Sequence, residues 1–120
     1  MVSVSSEAMQ RYIDTARSKE QRRLVELQHR RSRALEVAKG AADLLKRQFS
    51  ADRVVVFGSV LSEAFHENSD IDLAVWGLPE QNYFKAVDQL LALSDFEFDL
   101  VEVQYASPEI LAAIAQGLEL

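Results

Sequence analysis

Two apolar runs occupy the middle of the chain. Val54-Val55-Val56-Phe57 leads into Gly58-Ser59, and ten residues later comes Asp70-Ile71-Asp72-Leu73-Ala74-Val75. Both have the length and β-branched content of a buried strand. The first ends in a turn pair, and the second opens with two carboxylates spaced i, i+2. Side chains alternate along a strand, so Asp70 and Asp72 share a face while Ile71 points into the core. Two acids about 6.5–7 Å apart on one face repel each other unless a cation sits between them. A divalent metal meets that need, and a Gly-Ser turn is a natural seat for the phosphates such a metal would carry.

On the N-terminal side, residues 1–6 are small and polar and read as a frayed end. From Glu7 to about Phe49 there is no proline and one glycine, Gly40. Met9, Ile13, Ala16, Leu24, Leu27, Ala34, Ala38, Ala41 and Leu45 recur in steps built from threes and fours, which predicts a helical face. The stripe is interrupted between Arg17 and Arg23 and again from His29 to Arg33. One unbroken helix of about 42 residues would measure roughly 63 Å, longer than a domain of this size. Either it bends near Ser18 or Gly40, or its N-terminal part projects to meet another chain. The expected division is a helical extension over residues 1–33 and a catalytic domain over 34–120.

On the C-terminal side, Ser59 is a candidate N-cap for a helical turn or two over residues 59–65, followed by a loop at His66-Glu67-Asn68-Ser69. Pro79-Glu80 begins a helix to about Leu93 with Phe84, Val87, Leu90 and Leu91 on one face. Phe96 to Val103 alternates apolar with acidic residues and predicts a third strand. Ser107-Pro108-Glu109 is a helix-start pattern. The predicted fold is α/β: a small mixed sheet flanked by helices, with a long N-terminal helical segment.

The whole chain has 120 residues, 48% of them hydrophobic, enough for one domain with its own core. Without cysteine there is neither a disulfide framework nor a thiolate metal site. No apolar run is long enough to span a bilayer and no signal-like core stands at the N-terminus, so a cytoplasmic protein is expected. The net charge of −6 is unevenly divided. Residues 1–50 hold 11 basic and 6 acidic side chains, a balance of +5; residues 51–120 hold 2 basic and 13 acidic, a balance of −11. The acidic half is unsuited to binding nucleic acid directly, and handling a nucleotide there requires cations.

Asp99, flanked by Phe98 and Leu100, is the candidate third acid, because pairing of the second and third strands brings it beside Asp70 and Asp72. Glu97 shares its face by period two, so alternation alone does not choose between them. Three carboxylates with a phosphate-binding turn form the apparatus of two-metal phosphoryl or nucleotidyl transfer. Other residues read more plainly: His66 as a loop histidine, Trp76 and Tyr83 as core or contact aromatics, and Arg22, Arg23, Arg30, Arg31 and Arg33 as a solvated or docking helix face.

Gly58-Ser59, ten residues, then Asp70-Ile71-Asp72 resembles the signature of minimal nucleotidyltransferases in the polymerase-β-like superfamily. Phe57, Ser69, Phe98-Asp99-Leu100-Val101 and the closing Gly117-Leu118 extend the likeness over about residues 36–120. The resemblance implies that Gly58 and Ser59 bind the phosphates of ATP and that Asp70, Asp72 and Asp99 bind Mg²⁺, two ions, as the catalytic residues. It also implies an antitoxin that transfers AMP to a tyrosine of a HEPN-type ribonuclease toxin. The alternatives are an antitoxin that neutralises its partner by binding alone, and a nucleotidyltransferase acting on a small molecule. One departure stands out: Val60-Leu61-Ser62-Glu63 offers the phosphates no positive side chain.

Overall fold

The computed structural model describes residues 5–120. Helix α1 runs unbroken from Ser6 to Gln48. Ser5 caps it, its side chain accepting from the Ala8 amide at 3.1 Å. Of the expected frayed start, Ser5 and Ser6 are instead ordered by this cap, and residues 1–4 lie outside the described ones. The helix is not interrupted at Ser18 or Gly40. Gly40 faces open space, and short-range pairs support the exposed faces: Gln10–Asp14 at 2.9 Å, Glu20–Arg23 at 2.8 Å, Asp43–Arg47 at 2.9 Å. The helix stops where Ser50 turns left-handed (φ 62°) and the Ala51 amide reaches back to the Leu45 carbonyl at 3.0 Å.

Its two ends live in different surroundings. Ala34, Ala38, Ala41, Ala42 and Leu45 are buried, whereas no residue from Ser5 to Arg33 is. The N-terminal half therefore projects, and the molecule measures 70 × 30 × 22 Å.

Four strands form one mixed sheet in the order β3-β2-β1-β4. They are β1 (Arg53–Phe57), β2 (Ile71–Trp76), β3 (Phe98–Glu102) and β4 (Leu118–Glu119). β1 pairs antiparallel with β2 and β4, and β2 pairs parallel with β3. The two-residue β4 escaped the sequence reading because alternation cannot show in so short a segment. Val54, Val56, Ile71, Leu73 and Val75 pack beneath α1 and α2 (Tyr83–Leu93). Val55, Phe57 and Ala74 face α3 (Pro108–Ala115) through Ile114. A continuous apolar run in β1 thus means a strand covered on both sides.

Three local expectations are corrected. Gly58–Leu61 forms one tight 3₁₀ turn whose cap position is Phe57, so Ser59 is not an N-cap. A similar turn at Glu80–Asn82 precedes α2. On α2 the buried residues are Ala86 and Leu90, while Phe84 and Leu91 are 82% and 52% exposed, because the sheet covers too little of the helix to reach them.

Candidate active site

One row crosses the end of the sheet. Phe57 on β1 lies level with Asp72 on β2, and Asp72 with Asp99 on β3. Adjacent strands lie about 4.8 Å apart, so register alone sets the two acids side by side. Both belong to the sheet face that carries Ala74 and Val101 toward α3. Asp70 stands just before β2, on the same face by alternation. Register also separates Asp99 from Glu97: the Ile71 amide donates to the Glu97 carbonyl at 2.9 Å, which puts Glu97 one step outside the row.

Asp72 is the inner acid. Asp70 and Asp99 are exposed, whereas Asp72 is half-buried. Burial raises its pKa from 3.8 to about 6, with further increments from the charges of Asp99 and then Asp70. Gly58 completes the enclosure. Its φ is 82°, and a Cβ built there would lie 2.4 Å from Asp72 Oδ2. The glycine is thus required twice, by its backbone angle and by the carboxylate lying against it.

The donor set suits a hard divalent cation: three carboxylates on one face, the inner one's charge disfavoured by burial and then by its neighbours. Among the described residues no three acidic or histidine side chains are already gathered as a finished cage. The acids are instead arrayed along the row at the sheet's open end.

Residues 39–120 match the family described as Polymerase beta, Nucleotidyltransferase. The chain belongs to this nucleotidyltransferase family. Among solved structures, this nucleotidyltransferase is similar to a toxin–antitoxin crystal structure with AMP-PNP (TM-score 0.56, 26% identity, covering 67% of this chain and 69% of that one). It is also similar to a MntA-HpeT toxin–antitoxin structure carrying two Asp→Glu substitutions (TM-score 0.53, 26% identity, 62% and 65% covered). A Tyr→Ala variant of that pair shares the fold at TM-score 0.52 and 24% identity, with 68% and 69% covered. No curated protein matches the chain.

Of the residues singled out from sequence, Gly58, Asp72 and Asp99 come into direct neighbourhood, with Asp70 at the rim. Ser59 follows in the same turn, where its carbonyl accepts from the Ser62 amide at 3.0 Å. His66 is exposed, and its Nδ1 accepts from the Asn68 amide at 3.2 Å, so it serves the turn before Asp70. Tyr83 packs against the core, its hydroxyl donating to the Leu100 carbonyl at 3.4 Å, and Trp76 lies under Arg53 at the far end of β1. No transmembrane-length apolar helix exists among the described residues.

Two arginines of α1, read from sequence as part of a solvated or docking face, make contacts within the chain. Arg31 Nε donates to the Val60 carbonyl at 2.8 Å, tying the helix to the turn that holds Gly58 and Ser59. Arg30 lies over the Phe96 ring, 4.5 Å from its centre. Their signal in sequence was only their position at the edge of the apolar stripe.

Proposed function

We propose that this nucleotidyltransferase transfers AMP from ATP to a tyrosine hydroxyl of a partner protein, as the antitoxin of a HEPN toxin pair. The observation that carries this reading is the row of acids: Asp72, half-buried against Gly58, between Asp70 and Asp99. Likeness to a toxin–antitoxin structure with AMP-PNP, at 26% identity, supports the nucleotide and the partner class. A second such structure carries paired Asp→Glu changes two residues apart, the spacing of Asp70 and Asp72.

In this reading Asp70, Asp72 and Asp99 hold Mg²⁺, and Gly58 and Ser59 receive phosphate oxygens. Magnesium, when bound, neutralises charge on the phosphates and lowers the pKa of the attacking hydroxyl. Asp72 is the innermost of the three, half-buried against Gly58. Asp99 lies on β3, an edge strand, and is exposed to an incoming protein. The tyrosine oxygen forms a bond to the α-phosphorus, the bond to the β-phosphate oxygen breaks, and pyrophosphate leaves. Asp99 is the base placed to take the hydroxyl proton.

Residues 34–120 form the catalytic domain in this proposal and residues 1–33 the extension that docks the partner. The projecting helix carries Met9, Tyr12, Leu24 and Val25 at 47–73% exposure, an unusual apolar load for a free helix. Use of ATP and a toxin partner fits a cytoplasmic protein, with no direct role for nucleic acid.

Incubation with Mg²⁺-ATP and the cognate partner is expected to add one or more AMP units to the partner, read by intact-mass spectrometry. An unchanged mass with the complex formed would sink the transfer reading. Full neutralisation of the toxin by Asp70→Ala with Asp72→Ala would identify a blocker that acts by binding alone.

A further inference from the structure

A polyphosphate needs positive charge, and the segment after Ser59 has none. Residues 51–120 contain only two basic side chains, and neither is at the site. Arg53 begins β1 at the opposite end of the sheet, stacked over Trp76 at 4.3 Å and paired with Glu119. Lys85 is exposed on α2. Any lysine or arginine of this chain serving the phosphates therefore comes from α1. Arg31 reaches the turn that follows Gly58 and Ser59, but its Nε is committed to the Val60 carbonyl.

Arg30 remains. Its guanidinium carbon lies over the Phe96 ring, 4.5 Å from the ring centre, and Phe96 is itself buried. Its Nε is buried without a hydrogen-bond partner, and none of the ion pairs among the described residues involves it. The side chain lines a cleft of about 220 Å³ together with Asn68, Ser69, Asp70 and the carboxylates of Glu67, Asp95 and Glu97. That volume has room for about seven water molecules at ~30 Å³ each. The cleft opens directly onto Asp70, at the rim of the acid row.

We propose that Arg30 is the phosphate-binding cation of this site, gripping the β- and γ-phosphates of the bound nucleotide and the pyrophosphate released from them. The proposal rests on the nucleotidyl-transfer reading above. A bare polyphosphate would be repelled by the surrounding carboxylates. A magnesium-bound one presents a cation to Asp70 and anionic oxygens to Arg30, matching both signs in the cleft. An arginine suits the position because it stays charged, stacks on an aromatic ring and offers a planar fork to phosphate oxygens. Residues at the base of the projecting helix thereby replace the charge missing after Ser59.

The test is calorimetric binding of Mg²⁺-AMP-PNP, Mg²⁺-pyrophosphate and AMP to the full chain. Arg30→Ala is expected to weaken AMP-PNP and pyrophosphate about ten-fold or more while changing AMP less than about two-fold. Arg30→Lys should recover part of the loss. Arg33→Ala, 6.0 Å from the same ring, should stay within about two-fold of wild type. Should Arg30→Ala fold poorly, Arg30→Gln, which keeps the stem and a planar end without charge, takes its place. Unchanged AMP-PNP affinity in a folded Arg30 variant would overturn the proposal and leave the nucleotidyl-transfer reading standing. Equal loss for AMP and AMP-PNP would also overturn it, assigning Arg30 a structural role through Phe96. A wild-type chain that binds no Mg²⁺-AMP-PNP would remove both.

Discussion

The β1–β2 pair is closed at each end by a glycine lying against an aspartate. At one end Gly58 has φ 82° and its missing Cβ would stand 2.4 Å from Asp72 Oδ2; at the other Gly77 has φ 71° and its missing Cβ would stand 1.9 Å from Asp52 Oδ2. The local device is the same, a left-handed backbone residue that lets a carboxylate close over it. What differs is the company each carboxylate keeps. Asp72 has Asp99 level with it on β3 and Asp70 two residues back, and its pKa is pushed up to about 6. Asp52 stands beside a structural cluster: its amide donates to the Trp76 carbonyl at 2.8 Å, and neighbouring Arg53 covers Trp76 and pairs with Glu119. A glycine–aspartate contact is therefore a way to turn a strand, and becomes a site only where further acids gather on it.

The sharpest way to break this contrast is by removing each carboxylate. Asp72→Asn is expected to lower AMP transfer to the partner by about 10³-fold or more in single-turnover assays, since metal-assisted charge stabilisation is lost. Asp52→Asn should leave the rate within about two-fold. Comparable losses in both would erase the distinction between the two ends.

Next come the glycines. Gly58→Ala and Gly77→Ala should each destabilise the fold by about 1–3 kcal/mol in urea titrations, from backbone strain and the displaced carboxylate. Only Gly58→Ala should also weaken Mg²⁺-AMP-PNP, measured calorimetrically at temperatures where both variants are folded. A Gly77→Ala chain with equally weakened nucleotide binding would contradict this.

A smaller effect follows from the raised pKa of Asp72. An acid whose folded pKa lies above its unfolded value binds its proton more tightly when folded, so its contribution to stability falls as pH rises from about 4 through about 6. The full shift corresponds to about 3 kcal/mol, and screening in a half-exposed site reduces this to about 1 kcal/mol. In metal-free buffer Asp72→Asn should melt a few degrees above wild type at pH 7.5 and level with it at pH 4. Added Mg²⁺ should raise the wild-type melting temperature more than that of the variant. A variant equal to or below wild type at pH 7.5 would argue against charge crowding.

The smallest effect sits at a third glycine. A Cβ at Gly40 meets nothing within 4 Å, so Gly40→Ala should stabilise the chain by about 0.5–1 kcal/mol with transfer activity unchanged. Loss of stability there would point to a constraint on α1 beyond its own helix.

Much of the candidate site's arrangement was legible because strand alternation is strictly local. Asp70, Ile71 and Asp72 must alternate wherever the strand lies, and Gly58-Ser59 must follow the strand that precedes them. Asp99 was only half legible: it and Glu97 share a face by period, and the β2–β3 register separates them. Arg30 and Arg31 were read as a solvated or docking face, and their contacts could not be seen in sequence because they are made with Phe96 and Val60, dozens of residues away. The long helix was legible in its periodicity but not in its course, since either a bend or a projection satisfied the same stripe.

By itself the sequence determined the elements and the kind of chemistry: one strand ending in a glycine turn, a second opening with a paired acid, and helices flanking them. Those follow from side-chain periodicity and backbone preference, which act over a few residues. Only the tertiary structure decided which acid lies level with the pair, how far Asp72 is buried, and which arginines pack onto Phe96 and Val60. Each of these depends on strand register and on helix α1 crossing the sheet, where contacts between distant residues set burial and charge.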